Sequence, residues 1–173
     1  MNINIFFSAV FMGLLLIFVA FKPLKIKERK FGDVPVFELK KFQIYKFTPQ
    51  GLTSVMAGSK AVRYHDRYDV FDINYTDNTK QIIANMKADR GLYKNDIIHL
   101  SGNVVYKRAD GLIFETQKAN YNQKTKTAYS DTKYIAYMGQ NVVRGDSIRY
   151  NSVSQKIQSK NIVANYNIEE EGR

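Results

Sequence analysis

Ser101, Ser130 and Ser159 stand 29 residues apart, Asp72 lies one interval earlier, and Tyr64, Tyr93, Asn122 and Asn151 keep the same spacing. Ala119-Asn120-Tyr121-Asn122 is matched by Ile148-Arg149-Tyr150-Asn151, with weaker relatives at Val62-Arg63-Tyr64-His65 and Leu92-Tyr93-Lys94-Asn95. A fixed period of this length marks stacked supersecondary units, none of which buries its apolar face alone. What the unit is follows from one copy. Between residues 97 and 131, Ile98, Leu100, Val104 and Tyr106 alternate with polar residues, Ala109-Asp110-Gly111 forms a turn, and alternation resumes at Leu112, Phe114 and Thr116. That is strand, turn, strand.

Composition agrees. With 12 Tyr and 11 Phe against no Trp and 3 Pro, the chain is rich in residues that suit pleated, half-buried surfaces. Phe37, Leu39, Phe42, Ile44 and Phe47 mark a first strand, and the step from Leu39 to Phe42 breaks period two and predicts a bulge. Pro49-Gln50-Gly51 turns the chain into a second strand over 52–64. Phe71, Ile73 and Tyr75 follow on one face with Asp72 and Asn74 on the other. The fold expected is all-β: two facing antiparallel sheets over residues 36–168. The inward set is expected to include Phe71, Ile73, Ile98, Leu100, Val104, Phe114, Tyr121, Ile148 and Tyr150. Such sheets either interlock as a sandwich or leave an apolar groove, and the two remain open on the residues alone. Residues 162–168 make a final strand candidate with a free edge at Ile162, Ala164 and Tyr166, ahead of the acidic tail 169–173.

The N-terminus is of a different kind. Residues 3–21 are almost all apolar and carry no charge. About 19 residues at about 1.5 Å each span roughly 28 Å, so residues 1–21 read as one transmembrane helix. A basic stalk, 22–35, follows with Lys22, Lys25, Lys27, Arg29 and Lys30 against Glu28 before Asp33. Taken literally, that flank would hold the C-terminal domain in the cytoplasm.

Catalytic signals are sparse. The chain has no Cys, which removes thiolate chemistry and Cys-type zinc sites. His99 alternates outward, His65 sits in the polar turn His65-Asp66-Arg67, and no spacing of the two predicts a metal. Ser101 and Ser130 lack a nucleophile-elbow setting, and no cofactor is expected. The net charge of +10 would suit anionic lipid, phosphorylated sugar or nucleic acid. Nucleic acid is not expected, because the aromatics fall on inward strand positions and no recognition motif accompanies them.

Read in order, Leu100-Ser101-Gly102-Asn103-Val104, Asp110-Gly111, Thr116, Ala119-Asn120-Tyr121-Asn122, Ser130-Asp131 and Gly145-Asp146-Ser147-Ile148-Arg149-Tyr150-Asn151 behind a single apolar span resemble the LptC family. The resemblance covers nearly the whole chain. It implies a bitopic inner-membrane component of lipopolysaccharide export whose periplasmic domain is a twisted open β-jellyroll, a fold shared with LptA and the N-terminal part of LptD. It further implies that the nine inward residues above contact lipid acyl chains. The C-terminal edge (Ile162, Ala164, Tyr166) would continue into an LptA-like bridge protein. The N-terminal edge and transmembrane helix would face LptF/LptG-like transporter subunits, and no reaction would be catalysed. A periplasmic domain runs against the literal charge rule. Two other readings remain: a membrane-anchored β-sheet adaptor with a filled core, and an envelope carbohydrate-active enzyme that would need two carboxylates roughly 5 to 10 Å apart in a cleft.

Overall fold

The computed structural model describes residues 34–79 and 81–167, together with Met12. The chain divides into two units, Met1–Lys30 and Phe31–Arg173. Apart from Met12, the expected transmembrane span lies outside the described residues, as do residues 22–33 of the stalk, Ile168 at the end of the expected last strand, and the tail 169–173. Among the described residues no helix is long and apolar enough to cross a membrane.

The second unit is an antiparallel meander of twelve strands: β1 (Phe37–Thr48), β2 (Gly51–Arg63), β3 (Tyr68–Asp77), β4 (Ala84–Lys94), β5 (Ile97–Arg108), β6 (Leu112–Asn122), β7 (Thr127–Ser130), β8 (Tyr134–Met138), β9 (Asn141–Gly145), β10 (Ser147–Asn151), β11 (Lys156–Lys160) and β12 (Val163–Asn165). The expectation of an all-β, antiparallel fold holds. The hydrogen bonding, however, joins all twelve strands in one sheet rather than two. The reason is that β1 to β6 are long strands that run unbroken through a bend, so pairing continues from one half to the other.

That bend is a crease crossing β1 to β6, where the pairing skips Lys41, Ser59, Asp72, Asp89, Gly102, Asn103 and Gln117. Lys41, Asp72, Gly102 and Asn103 hold positive φ within β1, β3 and β5, and Asn161 does so between β11 and β12. These positions recur at intervals close to the sequence period. The bulge expected in β1 between Leu39 and Phe42 is instead a left-handed residue at Lys41 (φ +48°) that keeps register, with Lys40 opposite Lys60 and Phe42 opposite Gly58; the register of β1 shifts farther on, between Lys46 and Phe47. Left-handed backbone interrupts the ladder there, and polar side chains bond one another beside the gap. Ser59 bonds Asp72, Asn103 Nδ2 donates to Asp89 Oδ2 at 3.0 Å, and Asn161 Nδ2 donates to Asp146 Oδ2 at 2.6 Å. A Cβ at Gly102 (φ +76°) would run into the Asp89 carboxylate. Gly102→Ala is therefore expected to cost about 1–3 kcal/mol, read as a lower urea midpoint at unchanged slope.

Two arms meet at the crease. Arm 1 holds the halves of the long strands that lead to the turns at 49–50 and 109–111, and arm 2 holds those that lead to the turns at 64–67 and 95–96. At β6 the sheet forks: Leu112–Thr116 pairs β8 in arm 1, and Asn120–Asn122 pairs β7 in arm 2. Beyond the fork, β8, β9 and β12 form one branch and β7, β10 and β11 the other.

Turns at the tip of arm 2 explain the second half of the repeat. Asn122 Oδ1 accepts from the backbone N–H of Lys124 and Thr125, and Asn151 Oδ1 does the same for Val153 and Ser154. These side chains mimic a turn of backbone, which is why Asn recurs there. Successive turns are also bridged: Lys94 pairs with Asp66 at 2.5 Å and Lys124 with Asp96 at 2.8 Å. The neighbouring ammonium groups hold both carboxyls below the usual Asp range.

The core sits against the crease. Ile73, Ala88 and Val104 of arm 1 pack with Leu100 of arm 2, and Val70, Tyr75, Met86, Ile98 and Ala119 close over them. The arms approach so closely that a Cβ on Gly91 would overlap Ile73 Cδ1.

Candidate apolar groove

Beyond this core the inner face continues as apolar rows. Residues directly opposed in an antiparallel pair project from the same face, so register traces which side chains line up across strands. In arm 1 the row beside the core runs Ile44, Met56, Tyr75, Met86, Tyr106, and on through Phe114, Ala136, Val143 and Ala164. Nine strand segments contribute, and none supplies a charge. In arm 2 the corresponding row is Phe37, Arg63, Tyr68, Tyr93, Ile98, and then Tyr121, Ala128, Tyr150 and Ile157. It is apolar or aromatic except at Arg63, whose guanidinium lies 5.4 Å from the Tyr68 ring centroid.

The rows lie on the face of the core, since Tyr75, Met86 and Ile98 pack against it. Burial pushes the Tyr75 and Tyr106 phenols above their ordinary range. Exposure rises towards the ends: Ile44 is 50% and Ile157 64% exposed. At the rim, Arg108 is held by Asp110 through both carboxylate oxygens.

The nine residues expected to face inward separate into three groups. Ile73, Leu100 and Val104 are at most 7% exposed and belong to the filled core. Ile98, Phe114, Tyr121 and Tyr150 lie in the rows just traced, and Ile148 lies one row nearer the crease, opposite Ser130 and Ser159. Phe71 departs from its expected face. It is paired with Lys60 and Arg90 and lies under the Arg90 guanidinium at 5.5 Å, on the side away from the core, while Val70 packs inward. The left-handed residue Asp72 reverses the alternation between Phe71 and Ile73, which period two alone does not register.

Residues not singled out from sequence complete the arm 1 wall: Met56, Met86, Tyr134, Ala136 and Val143. Tyr134 is 6% exposed, stacks on Phe114 with centroids 5.5 Å apart, and packs against Gly145. Their signal was distributed over strands and becomes visible only once register is known.

The sheet ends in open edges. Among the described residues β1 pairs only with β2, β11 only with β10, and β12 only with β9. Ile162 and Tyr166 are 55% and 69% exposed and Ala164 is exposed too, so the expected edge residues flank or occupy β12 at the end of the arm 1 row. The last strand itself is shorter than the expected 162–168.

On the other face, His99 Nδ1 and Asn120 Oδ1 share a 2.6 Å hydrogen bond, and an open depression of about 410 Å³ is lined in part by Val105, Glu115, Ile135 and Arg144. Among the described residues no group of three or more His, Cys, Asp or Glu side chains converges to hold a metal.

No curated protein matches the chain. A family model for lipopolysaccharide-assembly, LptC-related proteins matches residues 4–167, almost its whole length, and the chain belongs to the LptC family, whose role lies in lipopolysaccharide transport.

Proposed function

We propose that the creased domain is an open β-jellyroll whose two arms enclose a groove for lipopolysaccharide acyl chains, and that it relays this lipid rather than transforming it. The observation that carries the reading is the uncharged arm 1 row, continuous from β1 to β12 and on the same side of the sheet as the aromatic row of arm 2. Each buried CH₂ contributes roughly 0.8 kcal/mol, so a few per acyl chain hold the lipid while permitting release. Ile98, Phe114, Tyr121 and Tyr150 are the contacts proposed from the nine. Ile148 sits deeper, and Ile73, Leu100 and Val104 support the floor.

In this reading the apolar N-terminal span anchors the chain in the inner membrane and the domain lies in the periplasm. Both rows run out at unpaired edges, which suits strand addition. The β1 edge and the membrane span would face LptF/LptG-like transporter subunits. The C-terminal edge, with Ile162, Ala164 and Tyr166, would extend into an LptA-like bridge protein, and surface Lys and Arg would meet lipid phosphates.

The competing adaptor with a filled core is favoured by the interlocked cluster of Ile73, Ala88, Leu100 and Val104. That cluster fills the crease but does not extend along the rows, where exposure rises. The test is the lipid content of the full chain purified in detergent from a lipopolysaccharide-producing host. Bound lipopolysaccharide that exchanges with added lipopolysaccharide is expected; a folded chain that carries none and takes up none would overturn the relay.

A further inference from the structure

Through β1 to β6 each strand crosses the crease as one element and is paired with its neighbours on both sides of it, although the ladder skips a residue or two at the crease itself. Past the fork this support is gone. Residues 131–133 separate β7 from β8, Asp146 separates β9 from β10, and Asn161–Ile162 separate β11 from β12. In this C-terminal third the arms are joined by short connections and by hydroxyl groups. Ser130, only 1% exposed, shares hydrogen bonds with Thr116 at 3.0 Å and Thr132 at 3.1 Å, which stitches the root of the fork. Farther out, Tyr134 on β8 reaches across to Ser159 on β11 at 2.8 Å. Ser159 Oγ donates its only proton to the Ser147 carbonyl at 2.6 Å, so Tyr134 O–H is the donor. Tyr134 also stacks on Phe114 in the arm 1 row, and its ring lies 2.7 Å from where a Cβ on Gly145 would stand. One side chain thus touches the groove wall, the β9 backbone and the opposite arm.

We infer that the Tyr134–Ser159 hydrogen bond is a latch that sets how far the two arms part at the C-terminal end of the groove, making Tyr134 a positioning residue for whatever occupies it. The opening of the arms does not depend on the lipid reading, whereas its use as a width control at the exit rests on it. A ligand thick enough to push the Tyr134 ring off Phe114 breaks one hydrogen bond in which neither partner is charged. Among the described residues, β1 to β6 are instead each carried across the crease by their own backbone.

Tyr134→Phe keeps the ring and its stack and removes only the donor. Because the chain has no Cys, two pairs of spin labels are introduced cleanly in the full chain. Gln140 and Ser154 lie in exposed turns at opposite tips of the C-terminal third, and Gln50 and His65 occupy the same places in the N-terminal third. Without lipid, Tyr134→Phe is expected to lengthen and broaden the 140–154 distance, with the open population up about fivefold, and to leave 50–65 unchanged. Ser159→Ala reproduces the shift. An unchanged 140–154 distribution in both folded variants overturns the latch, as does an equal change at 50–65. With added lipopolysaccharide, faster release from Tyr134→Phe supports the width control. A shift of 140–154 without any lipid binding leaves the latch standing and sinks the relay.

Discussion

Leu100→Asp is expected to unfold the domain. Leu100 is 7% exposed, opposite Gly91 and Ala119, and packs on Ile73 from the facing arm. A carboxylate there has no hydrogen-bond donor from its apolar neighbours, and burying it unpaired costs several kcal/mol, a large share of the ~5–15 kcal/mol that holds a domain of this kind. Leu100→Ala separates packing from charge. It is expected to cost about 2–5 kcal/mol, because the rigid crease limits collapse into the space. Circular dichroism and urea midpoints give both values. A folded Leu100→Asp with an unchanged midpoint would show that the arms do not close on this residue.

Phe114→Asp is expected to act differently. Phe114 is half-buried, in the middle of the arm 1 row between Tyr106 and Ala136, with its ring stacked on Tyr134. Replacing it removes that stack and places a charge in a wall otherwise free of charge. A cost of about 1–3 kcal/mol to the fold is expected, since the position retains access to water. Lipid is the larger casualty: loss of the aromatic surface together with a charge facing acyl chains is expected to lower lipopolysaccharide retention by more than tenfold. Phe114→Leu, which keeps an apolar wall, is expected to retain most of it. Equal retention by Phe114→Asp and the unaltered chain, with both folded, would remove this row from the lipid path.

The contrast between Leu100 and Phe114 marks what the sequence made legible. Both alternate on the same face, and alternation within β5 and β6 correctly separated them from His99 and Glu115. It did not rank them by depth, because depth is set by distance from the crease, and the crease depends on backbone that alternation does not report. Its traces were present. Lys41 falls in the interrupted spacing between Leu39 and Phe42, Asp72 carries the period, and Gly102-Asn103 interrupts the run from Leu100 to Val104. Asp72 also explains why Phe71 faces outward. Asn122 and Asn151, by contrast, were readable as they stood, because a repeated Asn that caps its own turn is a local matter. Tyr134, Ala136 and Val143 were hidden for the opposite reason. Each belongs to a strand of five residues, too short for a pattern, and gains meaning only from the register that places it beside Phe114 or beyond.

The central claim is that lipid follows the inner rows and not the other face of the same strands. A photo-reactive residue placed in turn at Val105, Tyr106, Ile113, Phe114, Arg149 and Tyr150 tests it in living cells. Lipopolysaccharide adducts are predicted at Tyr106, Phe114 and Tyr150, with none at Val105, Ile113 and Arg149, which register puts on the opposite face. Adducts of equal yield at both sets, or at neither in chains that are folded and present at normal levels, would contradict it.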